Sequence, residues 1–72
     1  MQQYFMKIIG KKIRELRLEK ELTQEKLAAA LKISRSALNG YEHSTRQVPN
    51  DLLPQIAKYF NVKIDYLFGL ED

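Results

Sequence analysis

Apolar residues recur along this chain at intervals of three and four, and this period limits the fold more than any other feature. Ile9, Ile13 and Leu16 follow it near the amino terminus, with charged residues between them. Side chains at this spacing share one face of an α-helix, whereas a half-buried strand needs strict alternation. Because alternation nowhere extends beyond four or five residues, the sequence predicts an all-α protein of five helices, with strand pairing open only to the first few residues.

Capping residues and short breaks separate the first three helices. We expect helix one over Gly10–Lys20, the first periodic segment. Thr23 and Ser34 each stand before a helical stretch, and their hydroxyl groups can accept a hydrogen bond from a first-turn backbone N–H. Helix two therefore covers QEKLAAAL and helix three covers RSALNGYEH. Only Lys32 and Ile33 remain for the turn between them.

The second half of the chain predicts two further helices. The polar segment STRQVPN contains Pro49 and has the composition of a loop. Helix four should begin near Asn50, which places Pro54 in the first turn, where the missing N–H of proline breaks no hydrogen bond. A short helix five follows over residues 63–68.

The composition limits both size and chemistry. We place one domain over residues 1–72, with its core at 7–68 and an amino-terminal extension at 1–6. A domain this small is only marginally stable alone, so a partner or self-association is expected. The chain has no Cys and one His, which leaves little to form a disulfide, a metal site or a catalytic centre, and it shows no cofactor motif. Because no signal peptide or membrane-length apolar run is present, we expect a cytoplasmic protein.

Helices two and three together predict a helix-turn-helix, because their connection is short and small residues allow close packing. Those small residues are Ala28, Ala29 and Ala37. The other side of helix three is small, polar and almost free of acid, and it carries Arg35, Ser36, Asn39 and Gly40. A helix fits the major groove of B-DNA, where Arg reads guanine, Asn reads adenine and Ser reads either. The net charge of +3 agrees with a polyanionic partner.

These features resemble those of the phage-repressor and Cro-like helix-turn-helix family, also called the XRE family. The similarity extends from Ile13 to Leu67, over IRELRLEKELTQEKLAAALKISRSALNGYEHSTRQVP and LLPQIAKYFNVKIDYLF. Thr-Gln opens helix two, Ser-Arg-Ser opens helix three, Tyr-Glu ends it and Ile-Ala lies in helix four, all at the family's spacing. The resemblance implies a lambda-repressor-like fold of five helices that binds double-stranded DNA without a cofactor.

The resemblance also implies roles for individual residues. The implied DNA-contacting positions are Gln24, Ser34, Arg35, Ser36, Asn39, Gly40 and Arg46. Gln24 would contact a phosphate at the amino end of helix two, where the helix terminus itself favours an anion. The positions in helix three would meet base edges or phosphate at its start, and Arg46 would approach the DNA backbone from the following loop. Arg17 and Glu42 match a pair that joins helix one to helix three and orients it.

Three positions depart from the family pattern. Gly40 has no side chain where relatives often present one, so a base contact is missing or the DNA approaches the backbone more closely there. Lys32 and Ser44 stand where many relatives have glycine. A left-handed conformation at either position would therefore carry a modest energetic penalty.

This pattern favours one function and leaves several alternatives open. We expect a transcriptional regulator that represses by occupying a palindromic operator, with activation as an open alternative. The main alternative is a protein-interaction module such as an antitoxin that also binds its own promoter, and a second is an RNA-binding or coactivator role. Because the chain ends at Asp72, we expect neither a toxin-binding tail nor a domain for a small-molecule effector.

Large apolar residues at the two chain ends suggest a homodimer, since two half-sites need two copies of helix three. The predicted interface consists of Tyr4, Phe5, Tyr66, Phe68 and Leu70, with Tyr59 also left outside the predicted core. An exposed cluster of this kind is typical of an interaction site. The alternative is that Tyr4 and Phe5 fold back over helix five within one monomer.

Overall fold

The computed structural model describes the backbone of residues 2–70 and the side chains of residues 5–70. Within these residues all regular secondary structure is helical. The elements are α1 (Gln2–Glu19), α2 (Gln24–Leu31), α3 (Arg35–Glu42), α4 (Leu53–Phe60) and α5 (Ile64–Leu67), with a 3-10 turn over Asn50–Leu52. The prediction of an all-α fold with five helices is confirmed, and no helix in this part of the chain is long and apolar enough to cross a membrane.

Helix α1 is longer than the sequence pattern indicated. It begins at Gln2 and not at Gly10, so the prediction for its start was wrong, and residues 2–6 are helical and do not pair as a strand. Phe5 and Ile9 continue the apolar spacing toward the amino terminus, and both pack against the core. At Gly10, helix α1 crosses the end of α3 (Arg35–Glu42). A Cβ atom there would collide with the carbonyl oxygen of Tyr41, so only glycine lets α1 approach the end of α3 this closely.

The predicted caps of the helix-turn-helix are confirmed. The hydroxyl of Thr23 accepts a hydrogen bond from the Lys26 N–H at 3.1 Å, and the hydroxyl of Ser34 accepts one from Ala37 at 3.0 Å. Lys32 ends α2 in the left-handed region with φ of 59°. The capping hydroxyls and the left-handed residue together turn the chain sharply between α2 and α3.

A single apolar core lies behind the helix-turn-helix. Its fully buried members are Ile13, Leu27, Leu38, Ile56 and Leu67, which come from all five helices. Ala28 and Ala37 are buried where α2 and α3 pack, but Ala29 is exposed, so its predicted part in this packing is wrong. The core fixes the inner face of α3 and leaves its outer face to solvent.

The last two helices begin close to the predicted places. The 3-10 turn starts at Asn50, and Pro54 lies in the first turn of α4. Helix α5 returns toward α1, where the rings of Phe5 and Phe68 meet edge to face with centroids 5.4 Å apart. This contact joins the two ends of the chain within one molecule.

Candidate nucleic-acid interface

The outer face of α3 is polar and carries no exposed acid. Arg35, Ser36 and Asn39 are exposed on it, and the only acid of the helix, Glu42, is buried. Gln24, at the start of α2, joins these three residues around an open depression of about 310 Å³. The structure therefore brings together four of the seven predicted DNA-contacting residues on one surface.

Gln24 connects the two helices of the motif through its side-chain amide. Its Nε2 group donates to Asn39 Oδ1 at 3.1 Å and to Glu42 Oε1 at 3.2 Å. The two acceptors lie three residues apart on α3, so one amide fixes the rotation of α3 relative to α2. The sequence pattern gave no sign of this contact, because hydrogen-bond partners 15 and 18 residues apart leave no local periodicity.

The predicted pair of Arg17 and Glu42 is present and bidentate. Arg17 Nε donates to Glu42 Oε2 at 2.7 Å and Arg17 Nη2 donates to Oε1 at 3.0 Å. A third donor, Nη1, reaches the carbonyl of Leu22 at 2.8 Å. The Glu42 side chain is completely buried and that of Arg17 only 11% exposed. This geometry joins α1, the loop after it and α3.

The ion pair also affects protonation. The hydrogen bonds that Arg17 donates to Glu42 raise the pKa of Arg17 above its usual value, burial opposes the rise, and the attraction of the opposite charges adds to it. A base whose pKa rises on folding stabilises the fold below its unfolded pKa, and this stabilisation is lost only as the pH passes the folded value. Since both values lie far above neutrality, the contribution of Arg17 does not change across the neutral range.

Ser34 and His43 lie at the two ends of α3. Ser34 is exposed, but its hydroxyl oxygen accepts the capping bond from Ala37, which leaves the hydroxyl hydrogen for another partner. His43 Nδ1 lies 2.9 Å from the carbonyl of Asn39, as expected for a residue that satisfies a free carbonyl at a helix end. Both contacts define the ends of the exposed face.

Gly40 and Arg46 lie apart from the depression. We expected Gly40 on the open face of α3, but it is buried, so that placement was wrong. The side chain of Arg46 covers it, and the Arg46 guanidinium carbon lies 5.9 Å from the centre of the Tyr41 ring. Arg46 itself is exposed in the loop after α3. The sequence could not reveal this contact, because it depends on how the loop turns back.

The residues predicted for a dimer interface differ in exposure. The side chain of Tyr4 lies outside the described residues. Phe5, Tyr66 and Phe68 are half-buried against the core of their own chain, and Lys12 Nζ lies 4.7 Å from the centre of the Tyr66 ring. Leu70 is 70% exposed. The contact of Phe5 with Phe68 agrees with folding back within one monomer, and Leu70 is the exposed part of the predicted interface.

Known proteins that are similar to this chain include a transcriptional regulator and an antitoxin. The helix-turn-helix family profile matches residues 13–67. The uncharacterized HTH-type transcriptional regulator YobD of Bacillus subtilis (strain 168) is 38% identical over 61 residues, which cover 85% of this chain and 54% of YobD. Antitoxin PezA of Streptococcus pneumoniae serotype 4 is 42% identical over 62 residues, covering 86% of this chain and 39% of PezA. The chain thus spans about half the length, or less, of these curated relatives.

A solved structure supports the same assignment. The restriction-modification controller protein C.AhdI from Aeromonas hydrophila superposes with a TM-score of 0.78 at 31% sequence identity, covering 86% of this chain and 94% of that one. The fold, the capped helix pair and the family profile agree with each other. The chain belongs to the helix-turn-helix family, in the phage-repressor and Cro-like branch that its sequence resembles.

Proposed function

We propose that this chain is a sequence-specific DNA-binding transcriptional regulator that places α3 in the major groove. The observation that carries the proposal is the exposed face of α3, on which Arg35, Ser36 and Asn39 stand together without an exposed acid. These are side-chain types that hydrogen-bond to base edges in the major groove. The proposal assigns the chain no catalytic activity, cofactor or small-molecule effector, and it places the protein in the cytoplasm because of its DNA-binding role.

The proposed contacts divide into two kinds. Arg35, Ser36 and Asn39 read bases, and Gln24, Ser34 and Arg46 contact the sugar-phosphate backbone. Backbone contacts fix register and orientation, whereas base contacts carry sequence information. The amino terminus of α2 supports the phosphate role of Gln24, because a helix amino terminus favours an anion. Gly40 contributes to the interface through the Arg46 side chain that covers it.

A repressor acting through a palindromic operator would bind as a homodimer. One α3 covers only a few base pairs, and two copies read half-sites about one turn, ~34 Å, apart. The exposed Leu70 at the end of the described chain is the proposed centre of the dimer contact, with Phe5, Tyr66 and Phe68 beside it. Operator occupancy then blocks transcription.

The similarity to PezA, which is named an antitoxin, favours a second candidate function. An antitoxin would bind its own promoter and would also neutralise a partner protein. Deletion of the gene separates the two functions. A plain regulator can be deleted alone, whereas an antitoxin can be deleted only together with the gene for its toxin.

Selection of bound sites from random duplex DNA tests the main proposal. The expected result is enrichment of one sequence with two inverted half-sites about 34 Å apart. Random RNA hairpins, used as a parallel pool, provide the control for general binding to polyanions. Absence of an enriched duplex sequence, or stronger enrichment from the RNA pool, would contradict the proposal.

A further inference from the structure

Gly40 in α3 has no side chain, and the side chain of Arg46 fills the space that one would occupy. A Cβ atom built at Gly40 would lie 2.6 Å from Arg46 Cδ, 2.7 Å from Cγ and 3.2 Å from Cβ. Carbon atoms that are not bonded to each other attract best at about 3.5–4.0 Å, so two of these separations are impossible contacts. The stem of Arg46 therefore occupies the volume that any other residue at position 40 would need.

The backbone holds both residues in this arrangement. The carbonyl oxygen of Gly40 accepts hydrogen bonds from the Thr45 N–H at 2.9 Å, from the Arg46 N–H at 3.2 Å and from the Thr45 hydroxyl at 3.3 Å. Ser44 adopts a left-handed conformation with φ of 62°, which turns the loop back toward α3. These hydrogen bonds and the turn at Ser44 place the backbone of Arg46 beside Gly40, independently of the contacts that its side chain makes.

The charged end of Arg46 also has a partner. Its guanidinium carbon lies 5.9 Å from the centre of the Tyr41 ring, within the range in which a cation is attracted to an aromatic face. Tyr41 is itself buried in the core and cannot easily move. Arg46 is therefore held at its stem by Gly40 and near its charged end by Tyr41.

We propose that Gly40 is a positioning residue, whose missing side chain forms a seat that holds the exposed Arg46 guanidinium ready to contact a DNA phosphate beside the carboxyl end of α3. This proposal rests on the proposed DNA-binding function. A flexible arginine loses rotamer freedom when it binds, and a side chain that is already held in place loses less. The seat explains a glycine in a helix interior, a position where glycine lowers helix stability.

The first test needs no DNA. In NMR spectra of the free protein, the Arg46 side-chain methylene protons should show contacts with the Tyr41 ring and with the Gly40 α protons. Gly40→Ala should abolish these contacts while the melting temperature stays equal to the wild type or rises, because alanine favours the helix. Unchanged contacts between Arg46 and Tyr41 in Gly40→Ala would overturn the proposal.

The second test measures how salt weakens binding to duplex DNA. Each phosphate contact adds about 0.9 to the slope of log affinity against log salt concentration. Arg46→Ala should lower the slope by about this amount. Gly40→Ala should keep the wild-type slope but weaken binding, because the released arginine loses more rotamer freedom on contact, and the double variant should bind no more weakly than Arg46→Ala. Lys58→Ala removes a basic residue beside Tyr59 on α4 and should keep the wild-type slope.

The outcomes separate the seat from the function on which it rests. A wild-type affinity for Gly40→Ala, or a double variant that binds more weakly than Arg46→Ala, would overturn the seat while DNA binding stands. A wild-type chain that binds no duplex would overturn the proposed function and the phosphate contact together. Should Gly40→Ala fail to fold, Arg46→Met keeps the stem and removes the charge, so a slope equal to that of the wild type would again defeat the proposal.

Discussion

Two glycines in helix interiors have different neighbours, and the difference determines what each residue does. At Gly10 the obstacle to a side chain is backbone, namely the carbonyl oxygens of Tyr41 and Glu42. At Gly40 the obstacle is the flexible stem of Arg46. Backbone cannot move without separating α1 from α3, whereas a surface arginine can rotate away. Gly10 is therefore a packing residue of the fold, and Gly40 belongs to the candidate interface.

We predict that Gly10→Ala destabilises the fold in spite of the better helix propensity of alanine. Inserting a methyl group into a filled contact costs about 1–3 kcal/mol, more than the helix gains from alanine. Thermal denaturation followed by circular dichroism measures the loss, with Gly40→Ala as the matched control that should not melt lower. A Gly10→Ala protein that melts at or above the wild-type temperature would show that α1 and α3 are not in close contact.

The structural role of a residue could be predicted from the sequence where its contacts are local, and could not be predicted where its contacts are distant in the chain. Thr23 and Ser34 were identifiable as caps because each bonds to a backbone N–H three residues ahead. Gly10 was interpreted as the start of helix one. The feature that requires glycine there is the close contact with α3, some thirty residues away in the chain, which local sequence does not reveal. Gly40 was assigned to the open face because helical spacing places it there, and the covering Arg46 depends on a loop conformation that has no sequence period.

At the scale of elements, α3 owes its orientation to side chains from α1 and α2. Arg17 holds Glu42 from one side, and Gln24 holds Glu42 and Asn39 from the other. Glu42 thus links the core side of α3 to its polar face. A change at this buried carboxylate would alter DNA binding without removing any direct contact with DNA.

We predict that Glu42→Ala lowers both stability and DNA affinity. Removing one partner of a buried ion pair leaves the other charge without compensation, at a cost of about 3–5 kcal/mol. The double variant Arg17→Met with Glu42→Leu should be less destabilised, because it leaves no buried charge. Melting temperatures of the three proteins compare the costs directly. If Glu42→Ala melted with the wild type, the pair would be no more than a surface contact.

The elements themselves followed from the sequence more completely than their contacts did. Amphipathic spacing and caps determined α2 and α3 almost to the residue, because both signals are local. Near the predicted start of helix four at Asn50 the chain forms a 3-10 turn, and α4 itself begins at Leu53. The length of α1 was missed although its first turns are rich in apolar residues, because Gly10 was taken as the start of the helix. The candidate surface on α3 was predictable from residue type, but the hydrogen bonds that fix Asn39 through Gln24 required the packed structure.

At the scale of the whole molecule, Phe5 and Phe68 bring the described parts near the two chain ends together, and Leu70 is the large apolar side chain most exposed among the described residues. The rings of Phe5 and Phe68 pack against each other within the chain, whereas Leu70 is 70% exposed. A small domain that reads one half-site gains affinity by pairing, and the proposed dimer would use this end of the molecule. Leu70 is also a better position for a test than Phe68, because its replacement leaves the ring contact between Phe5 and Phe68 in place.

We predict that the protein is a dimer in sedimentation experiments at micromolar concentration and that Leu70→Glu is a monomer. The charge would be buried at the interface, and the variant should lose affinity for a two-half-site operator while it keeps its helical content. Leu18→Glu alters another exposed leucine, 49% exposed on α1, and should remain dimeric. A monomeric wild type, or a Leu70→Glu protein that stays dimeric and binds normally, would contradict this interface.

The central claim is that α3 reads bases, and the most direct measurement compares the affinity of Arg35→Ala for the selected duplex and for a scrambled duplex of equal length and charge. A lost base contact should weaken binding to the selected duplex by about 1–3 kcal/mol and leave binding to the scrambled one nearly unchanged. Asn39→Ala should behave in the same way, whereas Arg46→Ala should weaken both similarly, because a phosphate contact carries no direct sequence information. Equal losses on both duplexes for Arg35→Ala and Asn39→Ala would contradict the account.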